Sequence, residues 1–129
     1  MSPAPPAAAK APAVEVLEVT LAGPSERARG GFRVGRADTR LELAGWGLGL
    51  DSAVTGVEVL ADGEVVGRAA AAGERPDIAA AFPDLPGAGS CGFAVSLEPS
   101  GWGESRLAVE VALEDGGRAR LGELRVAIR

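Results

Sequence analysis

The sequence predicts an all-β fold: an antiparallel two-sheet sandwich of Ig-like or fibronectin-like type, with about seven strands and one short helical turn near residues 76–82. Three observations predict it. From Val14 onward, apolar residues recur at every second position, as in strands with one buried face. Clusters of Gly, Pro and Asp interrupt these runs at short intervals, the spacing of short antiparallel strands. No segment sustains a helical period beyond a single turn. With 129 residues, the chain suits one domain.

The stretch 1–13 is almost entirely Ala and Pro, with Lys10 as its one charge and no large side chain to bury. It is expected to be a flexible tail or linker, leaving 14–129 for the sandwich. Leu17, Val19 and Leu21 alternate with Glu18 and Thr20 as a first strand, ended by Gly23-Pro24. The stretch 25–40 holds five Arg among Gly, with Phe32 and Val34 as its only large apolar residues. It reads as a loop with room for one short edge strand. Leu41 and Leu43 begin a strand over 39–48 that runs into Gly45-Trp46-Gly47, and Asp51-Ser52 supplies the turn.

Val57, Val59 and Ala61 alternate against Glu58 and Leu60, and Asp62-Gly63 leads into Val65 and Val66. An Asp-Gly pair between two β-favouring runs predicts a two-residue hairpin, because both turn positions need positive φ. In 69–89 the alternation breaks. Pro76 at a first helical position starts one turn and Pro83 stops it. Phe93, Val95 and Leu97 form the next strand, closed by Pro99-Ser100-Gly101. Leu107, Val109, Val111 and Leu113 follow, then a turn at Asp115-Gly116-Gly117 and a last strand carrying Leu124, Val126 and Ile128. Leu43, Val59, Phe93, Val95, Val109, Val111 and Val126 are the expected core.

Composition narrows the chemistry. The 13 cationic and 18 anionic side chains leave a net charge of −5, and the chain has no His and one Cys. Ser-His-Asp and Cys-His catalysis, His-ligated metals and an intrachain disulfide are therefore excluded. Net acidity disfavours nucleic acid and anionic membrane. No apolar run has the roughly 20 residues needed to span a bilayer, and no basic-then-apolar leader is visible. A cytoplasmic location is expected, without membrane insertion.

Gly45-Trp46-Gly47-Leu48-Gly49 lacks the spacing and the following helix of a phosphate-binding loop. No carboxylate pair sits in a context that would bury one member for glycosidase chemistry, and no Asp run has the spacing of a calcium loop. No cofactor, metal or catalytic residue is expected. Cys91 reads as a small buried residue.

Leu43-Ala44-Gly45-Trp46-Gly47-Leu48, Val57-Glu58-Val59-Leu60-Ala61-Asp62-Gly63, Gly67, Arg75-Pro76-Asp77-Ile78-Ala79-Ala80-Ala81-Phe82-Pro83-Asp84 and Ser90-Cys91-Gly92-Phe93 follow one another in an order that carries a resemblance. The stretch 40–128 resembles a small bacterial β-sandwich module found with glycosyltransferases, sulfotransferases and related surface-polysaccharide enzymes, and 75–84 is its most specific part. The resemblance implies a non-catalytic accessory domain whose partner is a protein or a tethered enzyme domain.

The alternative is a weak carbohydrate-binding module using exposed Trp and Arg. Its candidate contacts are Trp102, Arg75, Asp77, Arg33 and Arg36. Trp46 and Trp102, each between two Gly, could be exposed platforms that stack on sugar rings, but Trp46 continues the strand of Leu41 and Leu43, so it is expected in the core, where sandwiches commonly place a Trp. Trp102 follows a turn, and the sequence leaves open whether it caps the sandwich or projects into solvent. Arg75 and Asp77 flank Pro76. Asp77 is expected to support the first helical turn, with Ile78 and Phe82 pinning the segment across the core. The Arg-rich stretch reads as solvated, with an anion or polysaccharide site as the sharper alternative.

Overall fold

The computed structural model describes residues 14–23, 25–37, 40–98 and 103–128. The tail at 1–13, the turn at Pro99-Ser100-Gly101 and Trp102 lie outside the described residues. The described chain forms β1 (Val14–Leu21), β2 (Ala28–Ala37), β3 (Arg40–Gly49), β4 (Val54–Ala61), β5 (Glu64–Ala70), β6 (Gly73–Glu74), α1 (Pro76–Ala81), β7 (Ser90–Leu97), β8 (Gly103–Leu113) and β9 (Arg118–Ile128). All pairings are antiparallel. The large sheet has the order β1-β9-β8-β4-β5 and the small sheet β2-β3-β7-β6. In that order β2-β3-β7-β6 matches strands A, B, E and D of immunoglobulin-type sandwiches, and β9-β8-β4-β5 matches G, F, C and C′.

The inner faces meet in one core. Leu41, Leu43, Val57, Val59, Val109, Val111, Leu124 and Val126 are essentially sealed from solvent, with Phe32, Phe93 and Val95 also buried among them. All seven expected core residues are buried. Each such Val, Leu or Phe contributes about 1.5–3 kcal/mol over an exposed position. A second cluster lies apart from this core, made of Leu48, Ile78, Ala88 and Cys91, with Trp46, Ala79, Phe82 and Leu85 packed against it.

The hairpin turns lie where the sequence puts them. Asp62 (φ 51°) and Gly63 (φ 82°) form a two-residue loop between Ala61 and its partner Glu64. Gly116 (φ 88°) takes the left-handed position of the second turn, and the Asp115 carboxylate accepts a 2.8 Å hydrogen bond from the Gly117 N–H. Pro76 opens α1 as predicted, and the Phe82 N–H closes it by donating to the Ile78 carbonyl. No helix among the described residues is long and apolar enough to cross a membrane.

Three expectations need correction. There are nine strands among the described residues rather than about seven, because the stretch taken as a loop contains the ten-residue β2, and β6 is only two residues long. β2 pairs without a break from Ala28↔Gly49 to Ala37↔Arg40, so its ladder forms despite poor intrinsic β preference. In β1, a register shift between Val16 and Glu18 sets Leu17 out of the ladder, and Val19 and Leu21 reach the exposed rim at 41% and 52% exposure. Finally, Trp46 does not enter the main core. It lies an odd number of residues from Leu41 and Leu43, so the pleat turns it to the opposite face. There, half-buried, it packs on the second cluster.

Candidate functional site

The outer face of the small sheet is floored by residues with little or no side chain. In register across four strands, Gly31 of β2 faces Trp46 of β3, which faces Gly92 of β7, which in turn faces Gly73 of β6. The next rung is Arg33, Ala44 and Ala94. Trp46 therefore stands between two glycines, with no Cβ beside it in either neighbouring strand. The result is an open groove of about 720 Å³, bounded by Arg33, Trp46, Glu74 and Arg75 over Gly31, Ala44, Gly92 and Ala94.

Glycine is required in this part of the sheet for a second reason. A Cβ on Gly45 would come within 2.0 Å of the Gly31 carbonyl oxygen and 2.8 Å of the Phe32 Cα. Gly45 thus lets β2 and β3 approach each other, which accounts for one glycine of the Gly-Trp-Gly run without a phosphate ligand.

α1 and the segment around it hold one wall. Phe82 lies 5.9 Å from the Trp46 ring, tilted by 31°, and the Arg29 guanidinium sits 5.7 Å over the other ring, that of Phe82, a cation–π distance. Arg75 is fixed at both ends. Its N–H donates to the Gly89 carbonyl, and its own carbonyl accepts from the N–H groups of Ile78 and Ala79. Its guanidinium donates from Nε to Asp77 Oδ1 at 3.0 Å and from Nη2 to Asp77 Oδ2 at 2.8 Å. The hydrogen bond from Arg75 is the leading cause that draws the Asp77 carboxyl down to about 2, helped by the Ile78 N–H. The same bond raises the Arg75 pKa.

Cys91 is buried behind this wall, as expected, and its thiol donates to the Ala88 carbonyl at 3.3 Å. Burial pushes that thiol's pKa up, so it has the environment of a packed side chain rather than of a nucleophile.

The candidate contacts read from the sequence part company here. Arg33 and Arg75 line the groove, and Asp77 reaches it through Arg75. Arg36 does not, because its Nη1 donates to the Val14 carbonyl at 2.9 Å, tying β2 to the start of β1. The Arg-rich stretch is not one basic patch: Arg27 pairs with Asp115 and Arg40 with Glu98, so only Arg29 and Arg33 project over the small sheet. Trp102 lies outside the described residues. Sequence reasoning weighed Trp46 as a stacking platform but placed it in the core, and it missed Glu74 as a site residue. The parity of Trp46 against Leu41 and Leu43 was the available signal for the first. Nothing local marked the second.

Chemically, the groove offers an indole surface, a guanidinium at Arg33 with no ion-pair partner among the described residues, a second guanidinium shared with Asp77, and the Glu74 carboxylate. No group of three or more Cys, Asp or Glu among the described residues is placed to hold a metal ion. Comparison of the chain with protein-family models, with curated proteins and with solved structures finds no match.

Proposed function

We propose that this chain is a non-catalytic accessory module of a bacterial surface-polysaccharide enzyme, a glycosyltransferase or sulfotransferase, and that the groove on the small sheet is its working face. One observation carries the reading. The segments behind the resemblance are far apart in sequence, yet Gly45, Trp46, Arg75, Gly92 and Phe93 all line this groove, and Leu48, Ile78, Cys91 and Phe82 form the cluster behind it. The segments that carry the resemblance and the surface that can hold a partner are therefore the same place.

The groove chemistry supports a binding role. Among its described lining residues, Glu74 is the single carboxylate and no hydroxyl or thiol nucleophile stands beside it, whereas acid–base glycoside chemistry needs two carboxyl groups at a set separation. The large sheet supports the assignment from the other side. Several of its outward charges are paired with one another, through Arg68–Glu58, Arg118–Glu110 and Arg120–Glu123.

The test is a rate measurement. The purified chain should turn over neither nucleotide-sugars nor a sulfate donor. Added or tethered to a bacterial surface-polysaccharide glycosyltransferase or sulfotransferase, it should raise that enzyme's rate on polymeric acceptor, and Trp46→Ala and Arg33→Ala should remove the increase. Turnover by the chain alone, or an increase indifferent to both substitutions, would overturn the reading.

A further inference from the structure

Resting on the assignment of the groove as the working face, we infer that its occupant is a polysaccharide chain, held by one pyranose ring stacked on Trp46, with hydroxyls along the chain hydrogen-bonded to Arg33 and Glu74. Three features point to a sugar rather than to a protein surface.

The first is the setting of the indole. Gly31 and Gly92 flank Trp46 in register, and a Cβ built on Gly31 would meet nothing closer than 4.0 Å. On the Gly31 side the sheet thus leaves space beside the ring, whereas on the Gly92 side the Gly73 carbonyl oxygen and the Arg75 Cγ come within 3.1 and 3.2 Å of where a Cβ would stand. Phe82 braces the ring from the helix side at 5.9 Å. A fixed aromatic face with a free flank suits the C–H face of a pyranose, which is apolar and flat.

The second is the pair of charged groups. Arg33 lies on β2, one edge of the sheet, and Glu74 on β6, the opposite edge. Both are exposed, and no ion pair or side-chain hydrogen bond ties either of them among the described residues. A guanidinium is a planar fork of donors and a carboxylate a fork of acceptors. Neighbouring sugar hydroxyls both donate and accept, so they can satisfy the two forks from one chain. Two opposite charges facing the same trough also suit a polyhydroxylated ligand better than a uniformly charged one.

The third is shape. Four strands at about 4.8 Å spacing make the trough about 14 Å across, the reach of a short oligosaccharide. A stable protein interface needs about 800 Å² per partner and an apolar centre. Among the described residues the exposed large aliphatic side chains, Val19, Leu21, Val65 and Val66, are on β1 and β5, and none is in the groove lining, although Leu21 Cδ1 lies 4.0 Å from where a Gly31 Cβ would stand.

The experiment uses the full chain carrying Trp102→Phe, so that Trp46 is the one indole. Its fluorescence and its quenching by iodide are followed while dextran, xylan, mannan, alginate and xanthan are added in turn. At least one polymer should shift the emission, protect the indole from iodide and saturate. Arg33→Ala and Glu74→Gln, both at exposed positions, should each weaken that binding by about tenfold while leaving the thermal midpoint unchanged. Trp46→Ala should abolish it in the chain that retains Trp102.

No response to any polymer overturns the inference, and so does binding that persists through all three substitutions. If Trp46 is instead protected by the polysaccharide enzyme, the sugar inference falls while the groove remains the working face. If neither polymer nor enzyme reaches Trp46, both fall.

Discussion

Glu58 and Glu110 stand directly opposite each other across β4 and β8, two like charges at neighbouring ladder positions with side chains only 15% and 18% exposed. Such a pairing is unfavourable by itself. Arg118 on β9 resolves it by forming ion pairs with both carboxylates, donating from Nε to Glu110 at 3.0 Å. The bond to Glu110, and then that to Glu58, raises the Arg118 pKa. Arg118→Ala is expected to destabilise the domain by about 1 kcal/mol, and by less in a Glu110→Gln background, where the repulsion has been removed. Urea unfolding of the four proteins gives the coupling. Strict additivity would show that Arg118 does not mediate between the two carboxylates.

Gly45→Ala tests the close approach of β2 and β3. The new methyl group would overlap the Gly31 carbonyl and the Phe32 backbone. Both are main-chain atoms, so no side chain can swing aside. Overpacking of this kind costs about 1–3 kcal/mol. The substitution should lower the unfolding free energy by that amount, read as a lower urea midpoint, and disturb the amide signals of 30–33 in the NMR spectrum. Wild-type stability would mean that the two strands are not held so close.

Much of the fold was legible because it depends on local pattern. The alternation in β4, β7, β8 and β9 gave the core residues, and Asp62-Gly63 gave its hairpin because only certain residues tolerate positive φ at both positions. β2 was not legible. Its inward residues, Ala28, Gly30, Phe32 and Val34, are mostly small, and Arg and Gly alternate on its outward face, so neither face carries the usual signal. Its pairing with β3 decides the matter, and that is a tertiary fact. The groove was legible only in pieces. Arg33 and Arg75 were named, but their juxtaposition requires β2, β3, β7 and β6 to line up, which no spacing in the chain reveals. For Trp46, a strict count of parity along β3 would have placed it outside the main core.

Val109 lies at the centre of the core, fully sealed and opposite Val59 and Gly122. Val109→Asp puts an unpaired carboxylate among Val and Leu side chains, at a cost of several kcal/mol. Domains of this size are stable by only about 5–15 kcal/mol. The variant should lose its β-sheet circular dichroism at pH 7. Val109→Ala should remain folded and lose about 1–3 kcal/mol from the removed methyl groups and the cavity left behind. A folded, fully stable Val109→Asp protein would show that this position is open to water.

The Arg75–Asp77 pair makes the groove wall sensitive to acid. The Asp77 carboxyl falls from 3.8 to about 2 because Arg75, and secondarily the Ile78 N–H, favour its charged form. A pKa lower in the folded than in the unfolded chain means that the unfolded chain takes up the proton first as pH falls. The stabilisation from Asp77 is therefore complete above 3.8, declines as pH falls from there to about 2, and is gone below. Asp77→Asn should be less stable than the parent at pH 7, and the difference should close over that interval. Arg75→Met should move the Asp77 midpoint back toward 3.8, as read by carboxyl 13C NMR. A midpoint unmoved by Arg75→Met would show that Arg75 is not what holds Asp77 charged.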